Sequence, residues 1–385
     1  MIVEPKVREF ICTTAHPQGC KENVREQIAY VKEQGITGGP KKVLVIGAST
    51  GYGLASRITS AFGCHAATLG IMFEKPSNGK RTATPGWYNT AAFEEEAAKE
   101  GVYAKSINGD AFSKEVKEQA ISIIKEDLGK VDMVIYSLAA PRRTDAQGKM
   151  WVSTLKTTDK PFTEKSLDLR TNTIVTKTVE PAEEGELEGT VKVMGGEDWM
   201  DWIDALKAAD VLEKDAVTVA YSYIGPELTY PIYYDGTIGQ AKRHLTKTAG
   251  EINEKYEDVK AYISVNKALV TQASAAIPIV PLYFAILYKV MKEQGTHEGC
   301  IQQIARLFKD KLLVEQVPAD EKYQIRMDDW ELDDKVQNQV MECWKKVTTE
   351  NVEEVSDIDG YWEDFYHMFG FHFDNIDSVS YTHLT

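Results

Sequence analysis

The chain has 385 residues, of which 43% are apolar and 27% charged, the composition of a globular protein with room for a sizeable core. Its 44 basic and 59 acidic residues give a net charge of −15, so sequence-independent attraction to DNA or RNA phosphates is excluded. Cys12, Cys20, Cys64, Cys300 and Cys343 form no Cys-x-x-Cys pair, which excludes zinc ribbons and thioredoxin-like redox motifs.

Residues 1–40 read as an N-terminal segment without a secretory apolar region. Val24, Ile28 and Val31 follow a helical spacing that Gly35 and Gly38-Gly39-Pro40 end. Residues 41–46 are rich in β-branched side chains and predict a buried parallel strand. Strands are also predicted over 66–73, 102–107, 131–137, 217–223 and 259–265. Helices are predicted between them over 54–62, 91–99, 114–126 and 237–256. This alternation predicts βαβ units and a doubly wound, Rossmann-type parallel sheet over 41–280.

The stretch 142–216 is too long for a simple crossover and reads as an insertion. Its alternating segments, 173–179 and 190–194, predict a β-hairpin with the acidic run 180–189 at its tip. An amphipathic helix is predicted over 199–209. From 281 to 385 the pattern is mostly helical and rich in aromatic residues towards the end, a helical C-terminal cap on one large domain. The most apolar run, 275–291, contains Pro278, Pro281 and Lys289, too short and interrupted for a bilayer span. No stable membrane insertion and a cytoplasmic location are expected, with cysteine usage that fits a reducing compartment.

Directly after the first strand stands Gly47-Ala48-Ser49-Thr50-Gly51-Tyr52-Gly53, opening a helix. Glycines let the backbone turn tightly and approach a pyrophosphate, which the helix N-terminus attracts. Glu74 ends the second strand 21 positions beyond Gly53, close to the spacing of the acid that binds an adenosine ribose. A carboxylate there repels a 2′-phosphate and favours NADH over NADPH. The competing reading is a βαβ turn with no ligand. A Walker A loop is excluded, because Asn78-Gly79-Lys80-Arg81 lacks the upstream glycine and the following Ser/Thr.

Tyr233 and Lys242 are nine apart, on opposite faces of one straight helix. They converge only if Tyr233 precedes the helix, with Gly236 and Gly239 allowing the bend and Asp235 as the candidate cap.

These residues resemble those of the single-chain trans-2-enoyl-CoA/enoyl-ACP reductases, a divergent branch of the short-chain dehydrogenase/reductase superfamily. The likeness rests on the Tyr-x8-Lys pair and the glycine turn. It also rests on the stretches 10–17 (Phe-Ile-Cys-Thr-Thr-Ala-His-Pro), 109–111, 137–143, 221–226 and 269–274, and it spans about 1–376. The resemblance implies that Gly47, Ala48, Ser49, Thr50, Gly51 and Tyr52 hold the pyrophosphate of NADH. Phe73 and Glu74 would meet the adenosine ribose, with Asp110 and Ala111 flanking the adenine. Leu138, Ala139, Val270, Thr271 and Gln272 would line the nicotinamide. Tyr233 would donate the proton, Lys242 would bind the cofactor, and Tyr223 would help hold the thioester carbonyl.

The implied reaction is NADH-dependent reduction of trans-2-enoyl-CoA, such as crotonyl-CoA, in fatty acid biosynthesis or fermentative chain reduction. Reduction of enoyl-ACP as the main activity, a carbonyl reductase of the same superfamily and a non-catalytic NADH sensor are the rivals. A monomer or weak homodimer and no metal are expected. Arg142 and Arg143 read equally as a site for CoA phosphates and as a solvated turn. His244 reads as a packed or surface histidine. Residues 194–202 and 277–291 read as core before lid.

Overall fold

The computed structural model describes residues 3–8, 11–271, 274 and 277–376. Seven strands form its central sheet: β1 (Lys42–Ile46), β2 (Ala67–Met72), β3 (Ala104–Asn108), β4 (Val131–Tyr136), β5 (Leu212–Ser222), β6 (Val259–Val265) and β7 (Gln324–Arg326). They are all parallel, in the order β7-β6-β5-β4-β1-β2-β3. The order reverses between β1 and β4, which opens a crevice at their carboxyl ends.

The strands read as continuous apolar runs because both faces are covered. In β1, Leu44 and Ile46 pack in the cluster that holds Trp199, Trp202 and Ile252. Val43 and Val45, pointing the other way, pack with Val24, Leu54, Phe93 and Phe308. A third cluster gathers Tyr283, Phe284, Val340, Tyr361 and Phe365 with Tyr233. The helix that carries Val24, Ile28 and Val31 runs Pro17–Glu33 and buries all three. It is tied to the helix Pro85–Lys99 by the Lys21–Glu95 and Arg25–Glu96 ion pairs.

Two expectations are corrected. Thr173–Val179 is a hairpin strand, but its partner is Phe162–Asp168, which lacks strict alternation. Residues 190–194 belong instead to the helix Glu186–Met194. There the acidic run starts a helix, where carboxylates are favoured, and Lys156 pairs with Glu186 at 2.9 Å. The C-terminal region is mostly helical, as expected, and three of its residues form the edge strand β7. A three-residue strand carries too little periodicity to be read from sequence.

Candidate active site

Gly47 follows β1 with a φ of +84°, and a Cβ there would stand 2.2 Å from the Ser137 carbonyl oxygen beyond β4. A Cβ on Gly53 would stand 1.8 Å from the Gly47 carbonyl oxygen. The turn closes only because both positions carry hydrogen. Gly51 also has a positive φ, of +53°, yet nothing lies within 4 Å of the place its Cβ would take.

The helix Gly51–Ile58 starts there with no side-chain cap from Thr50, leaving its first N–H groups for an outside acceptor. The Gly47 and Ala48 N–H groups donate to the Ile71 carbonyl and pin the turn to β2. In front lies a cavity of about 340 Å³ lined by Thr50, Gly51, Asn89, Val270 and Thr271. Free N–H groups at a helix N-terminus, facing open space, fit a pyrophosphate.

Beyond β2, Phe73 is 77% exposed. The Glu74 carboxylate accepts from the Ser49 hydroxyl at 2.6 Å and from the Thr84 hydroxyl. Its backbone pairs twice with the Asn108 side chain, at 2.8 and 3.0 Å. Asp110 is half-buried, and its Oδ1 accepts the Phe112 N–H. Ala111 is buried, with its carbonyl taken by Lys117 and Trp202.

At the other end, Tyr233 closes a one-turn helix, Tyr230–Tyr233, and Lys242 sits on a separate helix, Thr237–Lys255. The chain bends between them as the glycine spacing predicts. A Cβ on Gly236 would be 2.3 Å from the Ile232 carbonyl, and one on Gly239 would be 2.0 Å from that of Tyr234. Asp235 is not the cap: Gly236 holds that position, and the Asp235 carboxylate pairs with Arg243.

The two helices bring Tyr233 and Lys242 to one cavity of about 210 Å³, together with Tyr223, Leu138, Ala139 and Thr271. It adjoins the first cavity through Leu269 and Thr271. The Lys242 ammonium donates to the Tyr221 carbonyl at 2.9 Å, and burial lowers its pKa to about 8. Burial raises the Tyr233 phenol above its ordinary value, and its hydroxyl has no hydrogen-bond partner among the described residues. Tyr52 turns its hydroxyl to the Lys267 carbonyl at 2.9 Å. The Val270 N–H donates to the Tyr288 hydroxyl, and the Thr271 N–H to Ser274. Gln272 lies outside the described residues.

Two side chains in this region went unread in the sequence. Glu331 is fully buried and accepts the Tyr223 hydroxyl at 3.0 Å. Lys267 lines the smaller cavity and is likewise lowered to about 8 by burial. Glu331 falls in the run Asp328-Asp329-Trp330-Glu331-Leu332-Asp333-Asp334, which reads as a solvated charge cluster. Only the fold turns two of those carboxylates inward, Asp328 onto Arg326 and Glu331 onto the tyrosines.

The weaker signals resolve. Arg143 is buried, donating to the Lys192 carbonyl and to Asp201, while Arg142 is exposed. His244 accepts the Gly196 N–H through Nδ1, a packing role. Trp199 and Trp202 are core, while Met194 and Phe284 reach the smaller cavity. Among the described residues no three His, Cys, Asp or Glu side chains are grouped to hold a metal, and no helix is long and apolar enough to cross a membrane.

A sheet of this order, with its glycine turn at the switch point and an unpaired phenol and a buried ammonium lining one cavity, defines a Rossmann-type, dinucleotide-dependent reductase. Residues 81–313 match the family model for the trans-2-enoyl-CoA reductase catalytic region. Residues 2–79 match that for the NAD(P)H binding domain of trans-2-enoyl-CoA reductase. The chain belongs to the trans-2-enoyl-CoA reductase family.

It is 58% identical over 380 residues to a trans-2-enoyl-CoA reductase [NADH] from Clostridium perfringens, covering 98% of this chain and 97% of that one. It is 57% identical over 381 residues to an enoyl-[acyl-carrier-protein] reductase [NADH] from Flavobacterium johnsoniae, covering 98% and 96%. The crystal structure of Treponema denticola trans-2-enoyl-CoA reductase in complex with NAD superimposes with a TM-score of 0.97 at 49% identity, covering 99% and 98%.

Residues 319–380 match a third family model, described as an enoyl reductase FAD binding domain. The residues present do not fit a flavin dinucleotide there. The loop after β7 has no glycine and is acidic where a pyrophosphate needs N–H groups or cations. Asp328 pairs with Arg326, Asp329 with Arg306, and Glu331 faces the tyrosines.

Proposed function

We propose that this chain catalyses NADH-dependent reduction of the carbon–carbon double bond of trans-2-enoyl-CoA to acyl-CoA. The observation that carries the reading is the cavity shared by Tyr233 and Lys242, which opens beside the glycine turn. Bound along the two cavities, NADH supplies the hydride that reaches the β-carbon of the enoyl thioester.

Gly47 to Tyr52 hold the pyrophosphate on the helix N-terminus, and Phe73 and Glu74 meet the adenosine ribose. Asp110 and Ala111 border the adenine, and Leu138, Ala139, Val270 and Thr271 line the nicotinamide. Negative charge develops on the thioester oxygen as the double bond is reduced. The Tyr233 hydroxyl, unpaired in its cavity, offers its proton there as an oxyanion-hole donor does. An isolated phenol with a pKa of about 10 is a weak acid at neutral pH. We take the Lys242 ammonium, which lines the same cavity, to favour the phenolate and make the proton easier to release.

Relatives carry both CoA and acyl-carrier-protein names. We take the CoA thioester as the main substrate, with the carrier-protein thioester as the alternative. The test is NADH oxidation, followed by absorbance, with crotonyl-CoA beside the same acyl group on carrier protein. Faster turnover on CoA upholds the assignment, faster turnover on carrier protein reverses it, and no turnover on either removes the reductase reading. A monomer or weak homodimer in the cytoplasm completes the reading, with cysteine usage that fits a reducing compartment. Sedimentation velocity checks the first part.

A further inference from the structure

Glu331 lies just past β7 and has no solvent exposure. Its Oε1 accepts the Tyr283 hydroxyl at 2.7 Å and the Tyr223 hydroxyl at 3.0 Å. Its Oε2 accepts the Ala268 N–H at 2.7 Å. Burial raises the Glu331 carboxyl above its ordinary value, while the Ala268 N–H, the Lys267 ammonium and the Tyr283 hydroxyl work against that rise; three donors on its two oxygens suit an ionised carboxylate.

A phenol has one proton. Tyr223 directs its own in a hydrogen bond to Glu331, so it turns an oxygen lone pair and a ring, not an O–H, towards the cavity. That ring meets Tyr233 edge-on, with centroids 4.7 Å apart and planes at 90°. The Tyr233 hydroxyl is left as the unpaired one of the two.

We propose that Glu331 is a positioning residue for the reduction: it accepts the hydrogen bond of the Tyr223 hydroxyl and fixes that ring against Tyr233, so that Tyr233 is the hydroxyl offered to the substrate. The inference rests on Tyr233 being the proton donor. It revises the part the family resemblance gives Tyr223, which becomes a support for Tyr233 and not a second donor to the thioester carbonyl.

Glu331→Gln tests it with little change of shape. The Gln carbonyl satisfies the Ala268 N–H, and its amide then donates to the tyrosine oxygens and frees the Tyr223 proton. The expected result is a fall in kcat of about tenfold with the NADH dissociation constant within about twofold of wild type. In a Tyr223→Phe background, the same change should cost less than about twofold, because no Tyr223 proton remains to direct.

A wild-type kcat in E331Q, or an equal loss in both backgrounds, overturns the proposal. Should E331Q fail to fold, Tyr223→Phe and Tyr283→Phe each remove one hydroxyl from the same Oε1. The proposal then requires kcat to fall in Y223F and stay within about twofold in Y283F, and equal losses overturn it. Tyr233→Phe measured alongside separates the two levels. Full turnover in Y233F removes the donor assignment itself. Loss in Y233F with additive E331Q and Y223F removes only the role of Glu331.

Discussion

Tyr233 and Lys242, nine positions apart, line the same cavity from two different helices. On a single helix they would point to opposite sides. Gly236 and Gly239 make the bend possible, because a side chain at either would overlap a preceding carbonyl. The Tyr-x8-Lys spacing is thus a statement about backbone geometry as much as about chemistry.

Tyr233→Phe removes the unpaired hydroxyl and leaves the ring edge-on to Tyr223. We expect kcat with crotonyl-CoA to fall by about a hundredfold or more. NADH binding, read by fluorescence, should stay within about twofold. Wild-type turnover would refute the donor assignment.

The Lys242 ammonium is lowered to about 8 by burial. Below that pH it is charged and eases proton release from Tyr233. Above it, the charge and the benefit are lost. kcat/KM, which reports the free enzyme, should therefore fall as pH rises through about 8. In Lys242→Arg the side chain stays charged, and the decline should move out of the accessible range. A decline that remains near 8 in that variant would assign it to Lys267, which burial lowers to the same value.

Glu74 places a carboxylate at the end of β2 beside the exposed Phe73 ring. Repulsion of a 2′-phosphate at hydrogen-bonding range is worth a few kcal/mol near a protein surface. Replacing Glu74 by Ser should reduce the ratio of kcat/KM for NADH over NADPH by about tenfold or more. An unchanged ratio would place the discrimination elsewhere. The Ser49 and Thr84 hydroxyls lose their acceptor in this variant, so its melting temperature should be read alongside.

The two glycines Gly51 and Gly53 separate backbone strain from overlap. Gly51→Ala meets open space and bears only the left-handed penalty of about 1 kcal/mol. Gly53→Ala drives a methyl group onto the Gly47 carbonyl and should cost about 3 kcal/mol. Chemical denaturation of the two variants checks the order. Equal losses would contradict the closed form of the turn.

Much of this was readable in the sequence, because it is local. The glycine turn, the strand before it, the helix after it and the acid 21 positions on all lie within a single βαβ unit, where spacing alone sets geometry. β6 was read with its observed bounds for the same reason: a continuous apolar run between turn residues has few alternatives. The bend that frees Tyr233 from the Lys242 helix was legible from two glycines.

Other features depended on partners far away in the chain. Phe162–Asp168 becomes a strand by pairing with Thr173–Val179, while residues 190–194, with an equally strand-like pattern, become helix because they pack there. β7 exists only because β6 presents an open edge to three residues about sixty positions later. Glu331 is the sharpest case. In sequence it is one acid among several, and nothing distinguishes it from its neighbours. Tertiary structure turns it inward, where Tyr223, Tyr283 and the Ala268 N–H converge from three separate elements. A buried charge is stable only where such donors meet it, and donors drawn from positions 48 to 108 residues away leave no local pattern to read.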